Sequence, residues 1–196
     1  MSLKTTTALG TSFERLSLAT LESLGFSHLT RVGGRGDGGI DLRGTLLLAP
    51  TTSAINTLVQ CKHEQTKLGP RVLRELDGVL ARQSFVSSGH SRPLGVLCAA
   101  QQGFSTACIA AARASRAPLL LLRIHVDLNL DSEKVALEGP ENTDVSLLLN
   151  HAAMRAWEGL SAGMVHSRTF CKPNAGMFET RSTACLMFRE RNNLLN

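Results

Sequence analysis

Hydrophobic and polar residues repeat with two different periods along the first 125 residues of this chain. Three segments have helical spacing, and Gly25 and Pro70 mark a helix end and a helix start. The predicted helices cover residues 11–24, 69–85 and 104–115. Five short apolar or alternating segments predict strands at residues 28–32, 42–48, 55–62, 94–100 and 118–124. This order predicts an α/β fold in which helices flank a central mixed sheet.

The pattern weakens after residue 125. Residues 127–142 are acidic and typical of a loop, whereas residues 144–160 have helical spacing and include Trp157. The last thirty residues are basic and mixed. We therefore predict an N-terminal tail (1–10), a domain (11–125) and a partly helical C-terminal extension (126–196). The sequence leaves the role of the extension open.

The most informative stretch runs from Gly33 to Lys62. A glycine-rich turn, GGRGDGG, leads to Asp41, a charged residue within an apolar run. A carboxylate in such a position needs a partner. Gln60 and Lys62 are two residues apart, so on a strand they point to one face, while Cys61 points to the other. The alternative for Gln60 and Lys62 is an exposed polar strand face.

These residues carry a family resemblance. The motif G-D-G-G-I-D at residues 36–41, followed by Q-C-K at residues 60–62, resembles the PD-(D/E)XK nuclease superfamily and, within it, the Mrr-like branch. The chain is also similar to a fungal mitochondrial group, the required-for-respiratory-growth family. The resemblance covers roughly residues 11–125. It implies a restriction endonuclease-like three-layer core and a metal-dependent hydrolysis of DNA, in mitochondrial DNA maintenance or degradation.

The resemblance also implies a catalytic set that binds Mg²⁺ or Mn²⁺. Asp41 would be the main charged ligand, with the amide oxygen of Gln60 and the backbone carbonyl of Cys61 as further ligands. Lys62 would orient the attacking water and stabilise developing negative charge. Because Gln60 stands where the superfamily usually has Glu, the site loses one negative charge, and we expect weaker metal binding.

Two acidic residues have competing interpretations. By resemblance, Glu14 on the first helix is a further catalytic and metal-binding candidate, but Thr11 and Glu14 also have the spacing of a capping box at a helix start. Asp37 has the position of a second ligand, yet Asp-Gly is itself a hairpin signal, and we prefer the turn.

The distribution of charge fits a nucleic-acid partner. Residues 1–125 carry 14 Lys and Arg against 7 Asp and Glu, while residues 126–162 carry 2 against 7. A basic catalytic part suits binding to a phosphate backbone, although a generally basic protein would also show it. Arg71, Arg74 and Arg82 share a face of the helix at 69–85, and with Arg35 they are our candidate DNA contacts. A solvated basic face is the alternative for this stripe.

Other classes of site are disfavoured. Tyr is absent and aromatic residues are only 4% of the chain, which argues against a base-stacking surface. The five cysteines lack C-x-x-C spacing, which predicts reduced thiols rather than a zinc site. No apolar run approaches the roughly 20 residues that a membrane span needs. We therefore expect DNA as partner, no membrane, and a homodimer as one allowed state.

Two rival functions stay open on the same fold. One is a structure-specific endonuclease of the Holliday-junction type, which would act as a dimer on branched DNA. The other is a DNA-binding protein without catalysis, because fold alone does not fix function. By family resemblance the expected location is the mitochondrial matrix. The first ten residues are too short and too weakly basic for a convincing import signal, so we expect such a signal to be absent from this sequence.

Overall fold

The structure is a computed structural model that describes residues 6–33, 38–47, 54–86, 92–126, 145–156, 160–170 and 178–188. In the last two ranges, only the backbone is described. Helices are α1 (Thr6–Ser23), α2 (Pro70–Val86), α3 (Thr106–Ala114) and α4 (His151–Ala156). Strands are β1 (Phe26–Arg31), β2 (Leu42–Leu47), β3 (Ala54–Lys62), β4 (Leu94–Ala99), β5 (Leu119–Ile124), β6 (Val145–Leu149), β7 (Leu160–Phe170) and β8 (Phe178–Phe188).

Six of these strands form one mixed sheet in the order β1-β2-β3-β4-β5-β6. The strands β1, β2 and β3 are antiparallel neighbours, β3, β4 and β5 run parallel, and β5 pairs antiparallel with β6. Parallel neighbours need a crossover, which α2 supplies between β3 and β4 and α3 supplies between β4 and β5. The predicted α/β fold with a mixed sheet is confirmed.

Helices cover both faces of the sheet, which gives three layers. One face packs against α1 and α4 and forms the α1-side core; its members include Phe13, Leu16, Leu21, Val59, Val96, Cys98, Leu120, Leu122 and Ala153. The other face packs against α2 and α3 and forms the α2-side core; its members include Leu58, Leu73, Leu76, Leu80, Leu97, Ala99, Cys108 and Leu121. Strand β4 is buried along its whole length, as expected of a central strand covered on both faces.

Two predictions about helices need correction. Helix α1 begins at Thr6 rather than Thr11, so Glu14 lies in the middle of the helix and the capping-box interpretation is wrong. The predicted helix at 144–160 is a strand, β6, followed by the short helix α4. Strand β6 forms because its apolar residues complete the open edge of β5, with Leu148 opposite Leu121.

The part of the chain after residue 125 is only partly described. Residues 127–142, which we predicted to be a loop, lie outside the described residues. Strands β7 and β8 pair as an antiparallel hairpin. The division into a domain and an extension stays a prediction. In the described ranges, no helix is both long enough and apolar enough to cross a membrane.

Candidate functional site

Asp41 lies immediately before β2, at the point where the chain enters the sheet. Its N–H donates to the carbonyl of Val59 on β3, and its carbonyl accepts from the N–H of Val32 after β1, each at 2.9 Å. Leu42 is already the partner of Val59. Asp41 and Leu42 therefore both lie opposite Val59, which is the pattern of a β-bulge. Such a bulge changes the direction in which a side chain points.

The carboxylate of Asp41 contacts the backbone of β3. Its Oδ2 accepts a hydrogen bond from the N–H of Cys61 at 2.7 Å. This contact fixes the orientation of the carboxylate. The side chain is thus held against the peptide group that joins Gln60 to Cys61, and the sequence-predicted neighbours Asp41 and Gln60–Lys62 are brought together.

Gln60 is buried, with only 1% of its surface exposed. Its Oε1 has no hydrogen-bond partner. An unsatisfied buried polar atom typically costs about 1–3 kcal/mol, so its presence requires a reason. The alternative of an exposed polar strand face is therefore wrong for Gln60.

Glycine at position 39 makes room for this amide. Gly39 has φ +82°, and a methyl group there would lie 2.8 Å from Nε2 of Gln60. The glycine-rich turn therefore serves two purposes: it adopts a positive φ, and it lets the backbone approach the glutamine closely. Asp37 and Arg35, from the same turn, lie outside the described residues, so their predicted roles stay predictions.

The two faces of β3 differ in chemistry, as the alternation predicted. Leu58 belongs to the α2-side core and Val59 to the α1-side core. Gln60 and the half-buried Lys62 therefore share the face of Leu58, while Cys61 packs against the α1-side core. The structure brings Gln60 and Lys62 to one face, at the end of the strand that carries them.

The backbone carbonyl of Cys61 points toward Asp41. The carbonyl of Lys62 accepts from Ala100, beyond β4, whereas the N–H of Cys61 donates to Asp41, on the side of β2. Within one strand residue the N–H and C=O point to the same side. The Cys61 carbonyl therefore lies on the side of the Asp41 carboxylate, as its predicted role as a ligand requires.

The sulfur of Cys61 is on the opposite face and stays protonated. The pKa of the Cys61 thiol is raised well above its ordinary value of 9.0. The largest cause is a hydrogen bond with the neighbouring Cys98 thiol, and the next is burial. Cys61 and Cys98 are register partners on adjacent strands. A neutral thiol is a poor metal ligand, which leaves the carbonyl of Cys61 as the atom available to a cation.

Glu14 has a partner of its own. Its carboxylate accepts from Nε and Nη2 of Arg31, at the end of β1, in a two-pronged ion pair. Arg31 adjoins Val32, whose N–H bonds to the Asp41 carbonyl. Glu14 thus lies near the entry of Asp41 into the sheet, but its charge is neutralised by Arg31, and its role as a metal ligand stays a prediction.

The candidate DNA contacts on α2 are exposed. Arg71 pairs with Glu75 one helical turn away, which reduces its capacity to bind another anion. Arg82 is closer to the site: a methyl group at Gly38 would lie 3.3 Å from its Nη2. Arg74 is exposed on the same helix. The structure therefore places Arg82, more than Arg71 or Arg74, beside the turn that leads to Asp41.

The donor set suits a hard divalent cation. It offers one carboxylate (Asp41), one amide oxygen that lacks a partner (Gln60) and one backbone carbonyl (Cys61). Oxygen ligands of this kind bind Mg²⁺ or Mn²⁺, and Mg²⁺ keeps several waters, so few protein ligands suffice. Within the described ranges, no group of three or more His, Cys, Asp or Glu side chains is gathered.

Residues 6–125 match the Mrr catalytic-domain family, a restriction endonuclease family. The chain belongs to this family. The matched residues run from the start of α1 to the end of β5 and include Asp41, Gln60 and Lys62. The resemblance to the Mrr-like branch is therefore confirmed. Family membership supports a nuclease in general terms.

Two individual proteins are similar to this chain. An uncharacterized mitochondrial protein of Schizosaccharomyces pombe is 33% identical over 170 residues, which cover 84% of this chain and 60% of that protein. The chain thus spans about three fifths of its relative. Among solved structures, the MspJI restriction endonuclease in complex with a 27-mer oligonucleotide is 20% identical, with a TM-score of 0.39, over 56% of this chain and 25% of that one.

Sequence reasoning missed one ion pair near the site and one further buried-strand cation. The pairing of Arg31 with Glu14 joins residues 17 positions apart on different elements, and no local pattern indicates it. Arg123 was also overlooked, although it interrupts the apolar run L-L-L-L-R-I of β5. The same signal, a charge inside an apolar strand, had identified Asp41.

Proposed function

We propose that this chain is a metal-dependent nuclease that hydrolyses phosphodiester bonds in DNA. One observation carries the proposal: the Asp41 carboxylate, held on the N–H of Cys61, lies beside a buried Gln60 whose carbonyl oxygen lacks a partner. These residues occupy the motif positions of a restriction endonuclease family. The polar atoms are buried at a cost to stability, which is typical of a site kept for function.

Each side chain has a distinct role in this proposal. A divalent ion held by Asp41, Gln60 and the carbonyl of Cys61 would supply an activated water and a polarised phosphate. Asp41 contributes the negative charge that attracts the cation. Gln60 contributes a neutral oxygen that needs no desolvation, because it is already buried. Lys62, on the same face, orients the water and stabilises negative charge on the phosphate.

Metal affinity is low in this proposal when DNA is absent. Asp41 and Lys62 carry opposite charges, Gln60 is neutral, and Glu14 is paired with Arg31. The donor set therefore has little net attraction for a cation until a DNA phosphate adds its own negative charge. Titration calorimetry should show weak Mn²⁺ binding to the protein alone and tighter binding with DNA; equal affinities would contradict this account.

The decisive experiment compares Asp41→Asn and Lys62→Met with the wild type. Linear, circular, single-stranded and branched DNA are incubated with Mn²⁺, Mg²⁺ or EDTA. Asp41→Asn keeps an oxygen for the N–H of Cys61, so the fold is preserved while the charge is lost. We expect each variant to cleave at least about 100-fold more slowly, because removing one charge-stabilising group typically costs 10²–10³ in rate. Both variants should still bind DNA.

Asp77→Asn serves as the matched control, since Asp77 on α2 is also partly buried but accepts a hydrogen bond from Ser115, at the end of α3 and before β5. Full cleavage by Asp41→Asn would remove Asp41 from the mechanism, and turnover in EDTA would remove the metal. A wild type that binds DNA but cleaves none of the substrates would establish the non-catalytic alternative. Preference for branched over linear DNA would instead favour the structure-specific alternative.

We further propose that the protein acts in mitochondria, in the maintenance or degradation of mitochondrial DNA. The support is that its relative in Schizosaccharomyces pombe is named mitochondrial. Fractionation of cells expressing the tagged full-length protein tests this: recovery with matrix markers supports it, and recovery only with cytosolic markers refutes it. The predicted homodimer is tested by light scattering on the same purified protein.

A further inference from the structure

A second cationic group lies on the same face and the same end of the sheet as Lys62. The register pairs Lys62 of β3 with Ala99 of β4, and Ala99 with Arg123 of β5. Neighbouring strands are about 4.8 Å apart, so the Cα atoms of Lys62 and Arg123 are roughly 10 Å apart. Because Leu122 and Ile124 belong to the α1-side core, Arg123 points to the α2 side, as Lys62 does.

Arg123 is held in place rather than loosely solvated. Its Nε and Nη2 both donate to the carbonyl of Gln101, at 2.9 and 2.5 Å. Gly103, with φ +64°, leaves room for its stem: a methyl group there would lie 2.7 Å from Cδ of Arg123. These two bonds use two of the five N–H donors of a guanidinium. Three donors remain, and the ion pairs seen within the described ranges, Arg31–Glu14 and Arg71–Glu75, do not involve Arg123.

Arg123 also lines a surface cavity of about 290 Å³. Lys67 and Gln102 add a second cation and an amide at its rim, and Ser146 adds a hydroxyl. The other described residues that line it are apolar, among them Phe104, and none carries a negative charge. A volume at the lower end of the range for ligand pockets suits a group of about one nucleotide.

The position of this cavity agrees with a general rule for open α/β sheets. Ligands bind outside the carboxyl ends of parallel strands. Lys62, Ala99 and Ile124 are the last residues of the parallel strands β3, β4 and β5. Loop 63–69 crosses this edge, since the N–H of Leu68 donates to Gly103 at 2.9 Å, and it thereby brings Lys67 to the cavity.

We propose that Arg123 and Lys67 bind a phosphate of the DNA strand close to the bond that is cut. The inference rests on the proposed nuclease function and adds a substrate subsite to it. Because the Cα atoms of Lys62 and Arg123 are only roughly 10 Å apart, that phosphate belongs to a nucleotide near the one that is cut. The guanidinium recognises the phosphate oxygens in a fixed orientation, Lys67 adds charge, and the apolar floor accommodates the attached nucleoside.

The test measures binding rather than cleavage. Affinity for a fluorescent DNA duplex is followed in EDTA over a range of salt concentrations for the wild type, Lys67→Gln, Arg123→Gln and a control, Arg116→Gln. Arg116 is also exposed but lies just before β5, at the opposite end of the parallel strands. Each cavity variant should bind roughly tenfold more weakly and lower the logarithmic salt slope by about 1, as expected for one lost phosphate contact.

Several outcomes separate this inference from its alternatives. Unchanged affinity and slope in both cavity variants, or an equal loss in Arg116→Gln, would overturn it. Lys67 is exposed, so Lys67→Gln keeps the test valid even if Arg123→Gln destabilises the sheet edge. Inorganic phosphate at constant ionic strength should weaken DNA binding by the wild type more than DNA binding by the cavity variants. Phosphate that binds the cavity without displacing DNA would indicate a site for free phosphate and refute a DNA subsite.

Failure of the subsite is also distinguishable from failure of the nuclease. A wild type that cleaves DNA while both cavity variants bind normally refutes the subsite alone. A wild type that cleaves nothing, yet loses affinity and salt slope in both cavity variants, refutes the nuclease and retains the DNA contact.

Discussion

Replacing Gln60 with Met should raise the free energy of unfolding of the metal-free protein. It should also remove the additional stability that the wild type gains when it binds a metal ion. The Oε1 atom of Gln60 is buried without a hydrogen-bond partner, and such an atom costs about 1–3 kcal/mol. Methionine has a similar length, no polar oxygen at that position and enough flexibility to fill the space. Loss of one hydrogen bond from the amide N–H groups would cost about 0.5–1.5 kcal/mol. The net gain in the free energy of unfolding is about 1 kcal/mol.

Urea denaturation in EDTA measures this gain directly. A gain of 1 kcal/mol corresponds to a rise in Tm of about 2–4 °C for a chain of this size. When the denaturation is repeated with Mn²⁺, the free energy of unfolding of the wild type should rise, because a ligand that binds only the folded state adds RT ln(1 + [L]/Kd). The stability of the Gln60→Met variant should not change. Gln65→Met, at an exposed position after β3, is the control and should change stability by less than about 0.5 kcal/mol.

Two results would refute this reasoning. If Gln60→Met is less stable than the wild type in EDTA, the carbonyl of Gln60 has a partner and is not kept for a ligand. If the variant is still stabilised by Mn²⁺ as much as the wild type, Gln60 does not bind the cation.

Three further predictions concern the surroundings of the site. Gly39→Ala should lower cleavage activity at least tenfold and the free energy of unfolding by about 1–3 kcal/mol, because φ is +82° and the new Cβ would contact Gln60. Gly69→Ala is the control in the same assays, since a Cβ there would have no atom within 4 Å. Asn150→Ala should lower the free energy of unfolding by about 3–5 kcal/mol, since its buried amide bonds two N–H groups and at least two carbonyls; a loss under 1 kcal/mol in urea denaturation would contradict this. Burial raises the pKa of Asp77 above its ordinary value of 3.8, so ionisation destabilises the fold, and Asp77→Asn should stabilise it at pH 7. That gain should vanish as the pH falls below about 3.8, where Asp77 is protonated in both states, and a gain independent of pH would exclude this cause.

The sequence predicted the sheet of the first 125 residues well because each strand has an unambiguous pattern. The start and end of β3 and β5 were within one residue, since continuous apolar runs end at charged or polar residues. Strand β6 was missed because the run S-L-L-L-N fits both a helix and a strand, and only the open edge of β5 decides between them. The start of α1 was missed because residues 6–10 lack a clear apolar face.

The site was predictable only in part. The motif located Asp41 and the Gln60–Lys62 pair, and the period of a strand placed the latter two on one face. The unsatisfied carbonyl of Gln60 and the pairing of Glu14 with Arg31 depend on contacts between distant elements. No pattern within a single segment encodes such contacts.

Strand β3 is bonded to a neighbour along both edges, to β2 on one side and β4 on the other. Amide hydrogens in its second half, from Leu58 to Cys61, should therefore exchange with solvent only when the whole molecule unfolds. A cation or a DNA strand would then meet residues that are already in place. Binding would not have to order these residues, because their conformational entropy is already lost when the protein folds.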